Sequence, residues 1–218
     1  MTLKGDHVST GRYYVVKWGS FAAVCTIHTF VYIFFNHFFH PAKYYNLATP
    51  LDYAIPLIPA WSWIYEMLFI IPLAMGFITD IGRFLRGCVA VLACCAVSWV
   101  FFIVLPVTTA GYRPDTVDIT GPSTMLLGFI YFSDAPGTCF PSLHVAVGMT
   151  TAFIAIHLWG WRGFIYMLAN IMVLLSTLFT KQHYIADVVA GTILAYVSYR
   201  IFFAGRLLER YRIFKTAD

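Results

Sequence analysis

The sequence predicts an all-α polytopic membrane protein, six transmembrane helices bundled into one domain over residues 1–218. Three observations predict it. Hydrophobic residues fill 60% of the 218 positions and charged residues 11%, whereas a soluble domain is roughly half apolar and about a quarter charged. Mean hydropathy is +0.75. The apolar residues also gather into runs, and a bilayer core needs about 20 of them per helix.

The elements follow in order. Residues 1–13 are polar and predict a short cytoplasmic segment. No small-residue cleavage site follows, so the apolar run at 14–39 reads as a retained anchor rather than a leader. Residues 49–59 contain Pro50, Pro56 and Pro59 and predict an interfacial lead-in, because proline breaks a helix interior. The second and third spans are predicted at 61–79 and 84–105. Residues 106–122 are polar enough for a loop. Residues 123–132 are apolar but too short to cross, which predicts a re-entrant or interfacial helix over the site. Three further spans follow at 142–159, 163–179 and 185–204. The basic tail, 205–218, predicts a juxtamembrane anchor beside anionic headgroups.

Charge sets the orientation. Eleven of the 14 Lys and Arg residues fall at the two termini, the second-to-third loop and the fourth-to-fifth loop. The other side holds Lys43, Arg113 and Lys181. By the positive-inside rule, both termini are expected in the cytoplasm. The chain reads as an integral protein of a bacterial inner (plasma) membrane. A net charge of +4, dispersed along the chain, excludes a nucleic-acid partner. The five cysteines, Cys25, Cys88, Cys94, Cys95 and Cys139, have no metal-ligand spacing. No carboxylate cluster suggests Mg²⁺ or Zn²⁺, so neither metal nor cofactor is expected.

Two strings, Phe140-Pro141-Ser142-Leu143-His144 and Thr180-Lys181-Gln182-His183-Tyr184-Ile185-Ala186-Asp187, carry the chemistry. Ionisable groups at membrane depth are costly and mark functional sites. His183 and Asp187, four apart, share one face of a helix and can touch. A carboxylate on one imidazole nitrogen fixes the tautomer and sharpens the other as nucleophile or base. The plain alternative is a helix-end histidine satisfied by a nearby carboxylate. Pro141 and Ser142 suit a helix start, and a helix N-terminus attracts anions. His144 follows directly. Arg113 and Lys181 share the outer face and suit phosphate, the one by paired donors and the other as a point charge. These parts suit phosphoryl transfer. His183 attacks, His144 is acid and base, and Arg113, Ser142 and Lys181 hold the phosphate.

Other polar residues receive plain readings. His28 and His157 are expected to be packed or interfacial. Asn36, His37 and His40 are expected to meet headgroups. Asp52 reads as a loop cap, Tyr184 as packing beside the nucleophile, and Cys139 as core.

The chain resembles membrane members of the type 2 phosphatidic acid phosphatase (PAP2) superfamily. Its second motif, Pro-Ser-x-His, matches Pro141 to His144. Its third, beginning with Ser and ending His-x-x-x-Asp, matches Ser176 and His183 to Asp187. Its first ends in Arg-Pro, matched by Arg113-Pro114. The resemblance implies a six-span helical core, a phosphohistidine at His183 and acid/base work at His144. Two motif cations are missing: Pro106 stands for the first motif's lysine and Thr177 for the third motif's arginine. Leu143 replaces the second motif's glycine. Lys181 is the residue expected to restore one cation. The Phe-Pro-Ser-Leu-His variant is similar to the branch containing inositol phosphorylceramide synthases.

The expected activity is a lipid-phosphate phosphatase with an extracytoplasmic site and a membrane lipid phosphate as substrate. The alternative is a phosphotransferase that moves a phospho-headgroup to a second lipid acceptor. A non-catalytic scaffold that keeps the fold is the alternative of another class.

Overall fold

A computed structural model describes residues 2–3, 6–7, 10–205 and 207–215. Lys4 and Arg206, both counted in the charge bias, lie outside the described residues. Short strands β1 (Thr2–Leu3) and β2 (Asp6–His7) pair antiparallel. Most of the remainder is helix, chiefly α1 (Thr10–His37), α2 (Pro50–Ala54), α3 (Ser62–Tyr65), α4 (Ile81–Val104), α5 (Pro122–Ser133), α6 (Leu143–Trp159), α7 (Trp161–Phe179) and α8 (Ile185–Ser198).

Among the described residues, five helical stretches are long and apolar enough to cross a membrane: Thr10–His37, Pro59–Phe77, Ile81–Val104, Trp161–Phe179 and Ile185–Ala204. The fourth predicted span, 142–159, corresponds to α6, which is apolar but only 17 residues long. The second stretch is broken. It runs through 3₁₀ turns on either side of α3, with Pro59 and Pro72 opening two of them. Proline lacks the N–H that would continue an α-helical ladder. The last span ends in a π-helical turn over Tyr199–Ala204. The bundle's outside is apolar, with Val15, Phe30, Phe77 and Phe132 exposed, as a lipid-facing surface requires.

Local signals account for the helix starts. Asp80 caps α4, accepting the Arg83 N–H at 2.7 Å. Ser142 caps α6, accepting the Val145 N–H at 3.3 Å. Gly160, at φ 56°, turns the chain between α6 and α7, a conformation that favours glycine.

α6 is the central element and packs against α4, α7 and α8. Small residues allow the close crossings. Gly163 lies against the Ala155 backbone, where α7 meets α6. Gly191 of α8 lies against the Ser142 carbonyl and Val145 of α6. Without side chains at these points the backbones approach closely. One apolar core joins Phe84, Leu85 and Ile154, and a second joins Val145, Met149 and Val188.

At one end, four loops knit over the bundle. Tyr45 N–H donates to the Pro106 carbonyl at 2.8 Å and Cys139 N–H to Val107 at 3.1 Å. Val107, Tyr112, Cys139 and Tyr184 form the apolar plug beneath them. Cys139 and Tyr184 are therefore core, as their sequence context predicts. α5, the predicted short helix, borders this end, and the residue after it, Asp134, enters the site described next.

Candidate active site

The site is built where α6 and α8 begin. His183 precedes α8 in a turn, not on the helix as its spacing predicts. Asp187 still reaches it, because Asp187 is in the first turn of α8. Its Oδ2 accepts the Tyr184 N–H at 2.9 Å and lies 3.3 Å from His183 Nδ1. The same carboxylate caps the helix and orients the imidazole. The Ser142 N–H donates to the Asp187 carbonyl at 3.2 Å, which ties the α6 start to α8. His144 Nδ1 then lies 3.1 Å from His183 Nε2.

Donor counting orders this line. A carboxylate only accepts, so Asp187 takes His183 Nδ1–H and leaves Nε2 with its lone pair. His144 Nδ1 is therefore the donor to His183. The lone pair is what a nucleophile needs, and His144, once doubly protonated, can give a leaving oxygen its proton.

Asp134 completes the site, and sequence reasoning missed it. It is a single aspartate in a loop, with no spacing to tie it to either histidine. Tyr32 and Tyr65 donate to its two carboxylate oxygens, Tyr65 at 3.2 Å. The Tyr65 oxygen also lies 3.4 Å from His144 Nε2. Burial pushes the Asp134 carboxyl above its usual range, opposed by the Tyr32 hydrogen bond, by His183 and by Arg113. The place of Asn36 at the end of the first span predicts contact with headgroups. Instead it is buried and clamps this loop, donating to the Ser133 carbonyl at 2.9 Å and accepting the Ala135 N–H at 2.8 Å.

Arg113 is buried and makes three hydrogen bonds. It donates to the Asp134 carbonyl and to Gln182 Oε1, both at 2.9 Å, and to the Tyr131 carbonyl at 3.2 Å. It also stacks on the Tyr131 ring at 4.6 Å. Gln182, Asp134, Thr138, His144 and His183 line one small cavity. Arg113 reaches that cavity through Gln182.

Lys181 corrects an expectation. Its ammonium donates to the Asp52 carbonyl at 2.8 Å and to the Tyr112 hydroxyl at 3.1 Å, and it does not line the histidine cavity. The cause is backbone geometry. α7 ends in a Schellman turn: Lys181 N–H bonds to Leu178 and Gln182 N–H to Thr177. Lys181 occupies the left-handed position of that turn, at φ 56°. The turn aims Gln182 and His183 at the site and takes the lysine to Asp52. Burial lowers the Lys181 pKa, with Asp52 opposing the shift. Asp52 is the predicted loop cap, closing a box with Thr49. It also accepts the Ile185 N–H at 2.7 Å, so it caps the helix that bears Asp187.

On the other side of His144 lies an apolar cavity of about 240 Å³. α1, the broken second span, α4, α6 and α7 line it, with His28, Leu68, Met75 and Val173 among the contributors. His28 thus packs in the bundle, 3.5 Å from Cys95 Sγ. Among the described residues, no group of three or more His, Cys, Asp or Glu side chains is set to hold a metal ion.

The family model of the PAP2 superfamily matches residues 35–201. No curated protein and no solved structure matches the chain. The matched stretch covers well over half of the sequence and contains Arg113, His144, His183 and Asp187. This protein therefore belongs to the PAP2 superfamily.

Proposed function

We propose that this protein is a membrane lipid-phosphate phosphatase that works through a phosphohistidine at His183. Superfamily membership supports phosphatase-type activity. The finer reading is carried by one observation, the line Asp187–His183–His144 with contacts of 3.3 and 3.1 Å.

In the first step His183 Nε2 attacks phosphorus. The P–N bond forms, the ester P–O bond breaks, and the leaving oxygen takes the proton from His144. Asp187 balances the positive charge on the phosphorylated imidazole. In the second step His144 removes a proton from water. The water oxygen bonds to phosphorus, the P–N bond breaks, and phosphate leaves with His183 restored. The α6 N-terminus capped by Ser142 supplies backbone donors to the phosphoryl oxygens.

The apolar cavity beside His144 supports a lipid substrate, since it offers an acyl chain a dry path to the reacting centre. The positive-inside bias supports cytoplasmic termini and an extracytoplasmic site. That cavity also favours a second reading. A lipid hydroxyl arriving from the membrane side meets the phosphohistidine as readily as water does, and the reaction is then headgroup transfer. The Phe-Pro-Ser-Leu-His variant, similar to that of the branch containing inositol phosphorylceramide synthases, supports this reading.

The test offers purified protein a panel of lipid phosphates, with and without a second lipid. Phosphate release identifies hydrolysis, and a new phospholipid without phosphate release identifies transfer. Turnover that survives His183→Ala sinks the phosphohistidine.

A further inference from the structure

The superfamily pattern leaves this site two cations short, with Pro106 and Thr177 in their places. Lys181 does not fill the gap, because its ammonium is held by Asp52 and Tyr112. The site does contain an unused donor. Gln182 is 3% exposed, and its Nε2 is a buried nitrogen with no hydrogen-bond partner. A buried donor left unpaired is costly, so its retention calls for a ligand.

Which end of the amide faces the ligand is fixed by chemistry. Arg113 carries only donors, and its guanidinium lies 2.9 Å from Gln182. The amide oxygen must face the arginine, and the NH₂ group must point away from it. The cavity that Gln182 lines also holds His144 and His183. Gln182 directly precedes His183, and the Schellman turn that aims the histidine fixes the glutamine too.

We infer that Gln182 is a phosphate-binding catalytic residue whose Nε2 donates to a nonbridging phosphoryl oxygen during attack by His183. This deepens the phosphohistidine reading and rests on it. Arg113 acts through the amide: its charge at Oε1 polarises the NH₂ group and makes it a stronger donor. A neutral donor backed by a buried cation replaces a cation placed directly on the phosphate. The arrangement also keeps Arg113 on the Asp134 and Tyr131 carbonyls, so it braces the loop while serving the site.

The experiment compares Gln182→Leu, Gln182→Met and Gln182→Glu with the unaltered protein. It measures turnover of the active lipid phosphate and orthovanadate affinity by titration calorimetry. Arg113 keeps two carbonyl partners in each variant, and a thermal midpoint checks folding. Removing one such donor should lower kcat about 10²- to 10³-fold and weaken vanadate by a comparable factor. Gln182→Glu should lose at least as much, since its carboxylate opposes the anion. If Gln182→Leu does not fold, Gln182→Met decides. Vanadate affinity and kcat within about threefold of the unaltered protein, a small energy difference, overturn the inference. Turnover that persists in His183→Ala refutes the phosphohistidine instead, and the vanadate titration still judges Gln182.

Discussion

His144 and His183, 39 residues apart in sequence, face each other with Nδ1 and Nε2 separated by 3.1 Å. Each imidazole has a carboxylate behind it. Asp187 backs His183 directly at 3.3 Å. Asp134 backs His144 through the Tyr65 hydroxyl, with steps of 3.2 and 3.4 Å. Tyr65 gives its one proton to Asp134, so its lone pairs face His144. A second proton on His144 then has an acceptor in the Tyr65 oxygen.

Asp134→Asn should therefore change the pH profile. The groups facing His144 are His28 and Tyr32 from α1, Tyr65 from the second span, and His183 from the turn before α8. Protonating the leaving oxygen needs charged His144, so activity falls as pH rises through the pKa of that histidine. Removing a nearby negative charge lowers that pKa. The alkaline limb should move to lower pH by about one unit, and Tyr65→Phe should move it the same way. An unchanged limb in both variants refutes the relay.

Gly191→Ala should separate α8 from α6. A methyl group there meets the Ser142 carbonyl oxygen at 2.8 Å, which is backbone and cannot step aside. Overpacking of this kind costs about 1–3 kcal/mol, readable as a lower thermal midpoint. Turnover should fall further than stability, because the crossing sets the distance between His144 and His183. Normal turnover with normal stability contradicts this account.

Lys181→Met tests a structural role. The variant loses donors to the Asp52 carbonyl and the Tyr112 hydroxyl. Net loss of hydrogen bonding from a buried cation should lower stability by about 1.5–3 kcal/mol. Vanadate affinity should stay within about threefold once the variant is folded. A large loss of vanadate affinity at unchanged stability returns Lys181 to the phosphate.

Asp52 makes stability depend on acid. Burial works against its carboxylate, but hydrogen bonds from Thr49 and from Ile185 outweigh it and hold the pKa below the usual range. A depressed carboxyl stabilises the fold above its unfolded pKa, about 3.9. That contribution is lost as pH falls through the lower folded value. Asp52→Asn should lower the thermal midpoint at pH 7 and flatten its decline in acid. Parallel acid profiles for the two proteins contradict the assignment.

The legible part of this chain is local. Apolar runs 20 or so residues long specify spans whatever their neighbours, because the bilayer length is fixed. Ser142 caps α6 and Asp187 reaches His183 across four residues, distances a single turn can cover. Even there the reading was incomplete, since His183 stands ahead of α8 and the contact arises through a cap. The break in the second span has a local signal too, Pro72, set inside an otherwise continuous apolar run.

By itself the sequence determined an all-helical membrane chain, the two histidine strings and their local partners, since turn-scale geometry follows from spacing and capping. Tertiary structure alone decided what meets across the bundle. It paired His144 with His183 and brought Asp134 into the site through two tyrosines. It also sent Lys181 to Asp52 and left Gln182 facing the cavity. Long side chains take the acceptors their backbone aims them at, and a lysine in the left-handed position of a Schellman turn carries no glycine signature to announce it. Contacts between distant segments depend on helix crossings such as Gly191 on Ser142, which the packed bundle fixes.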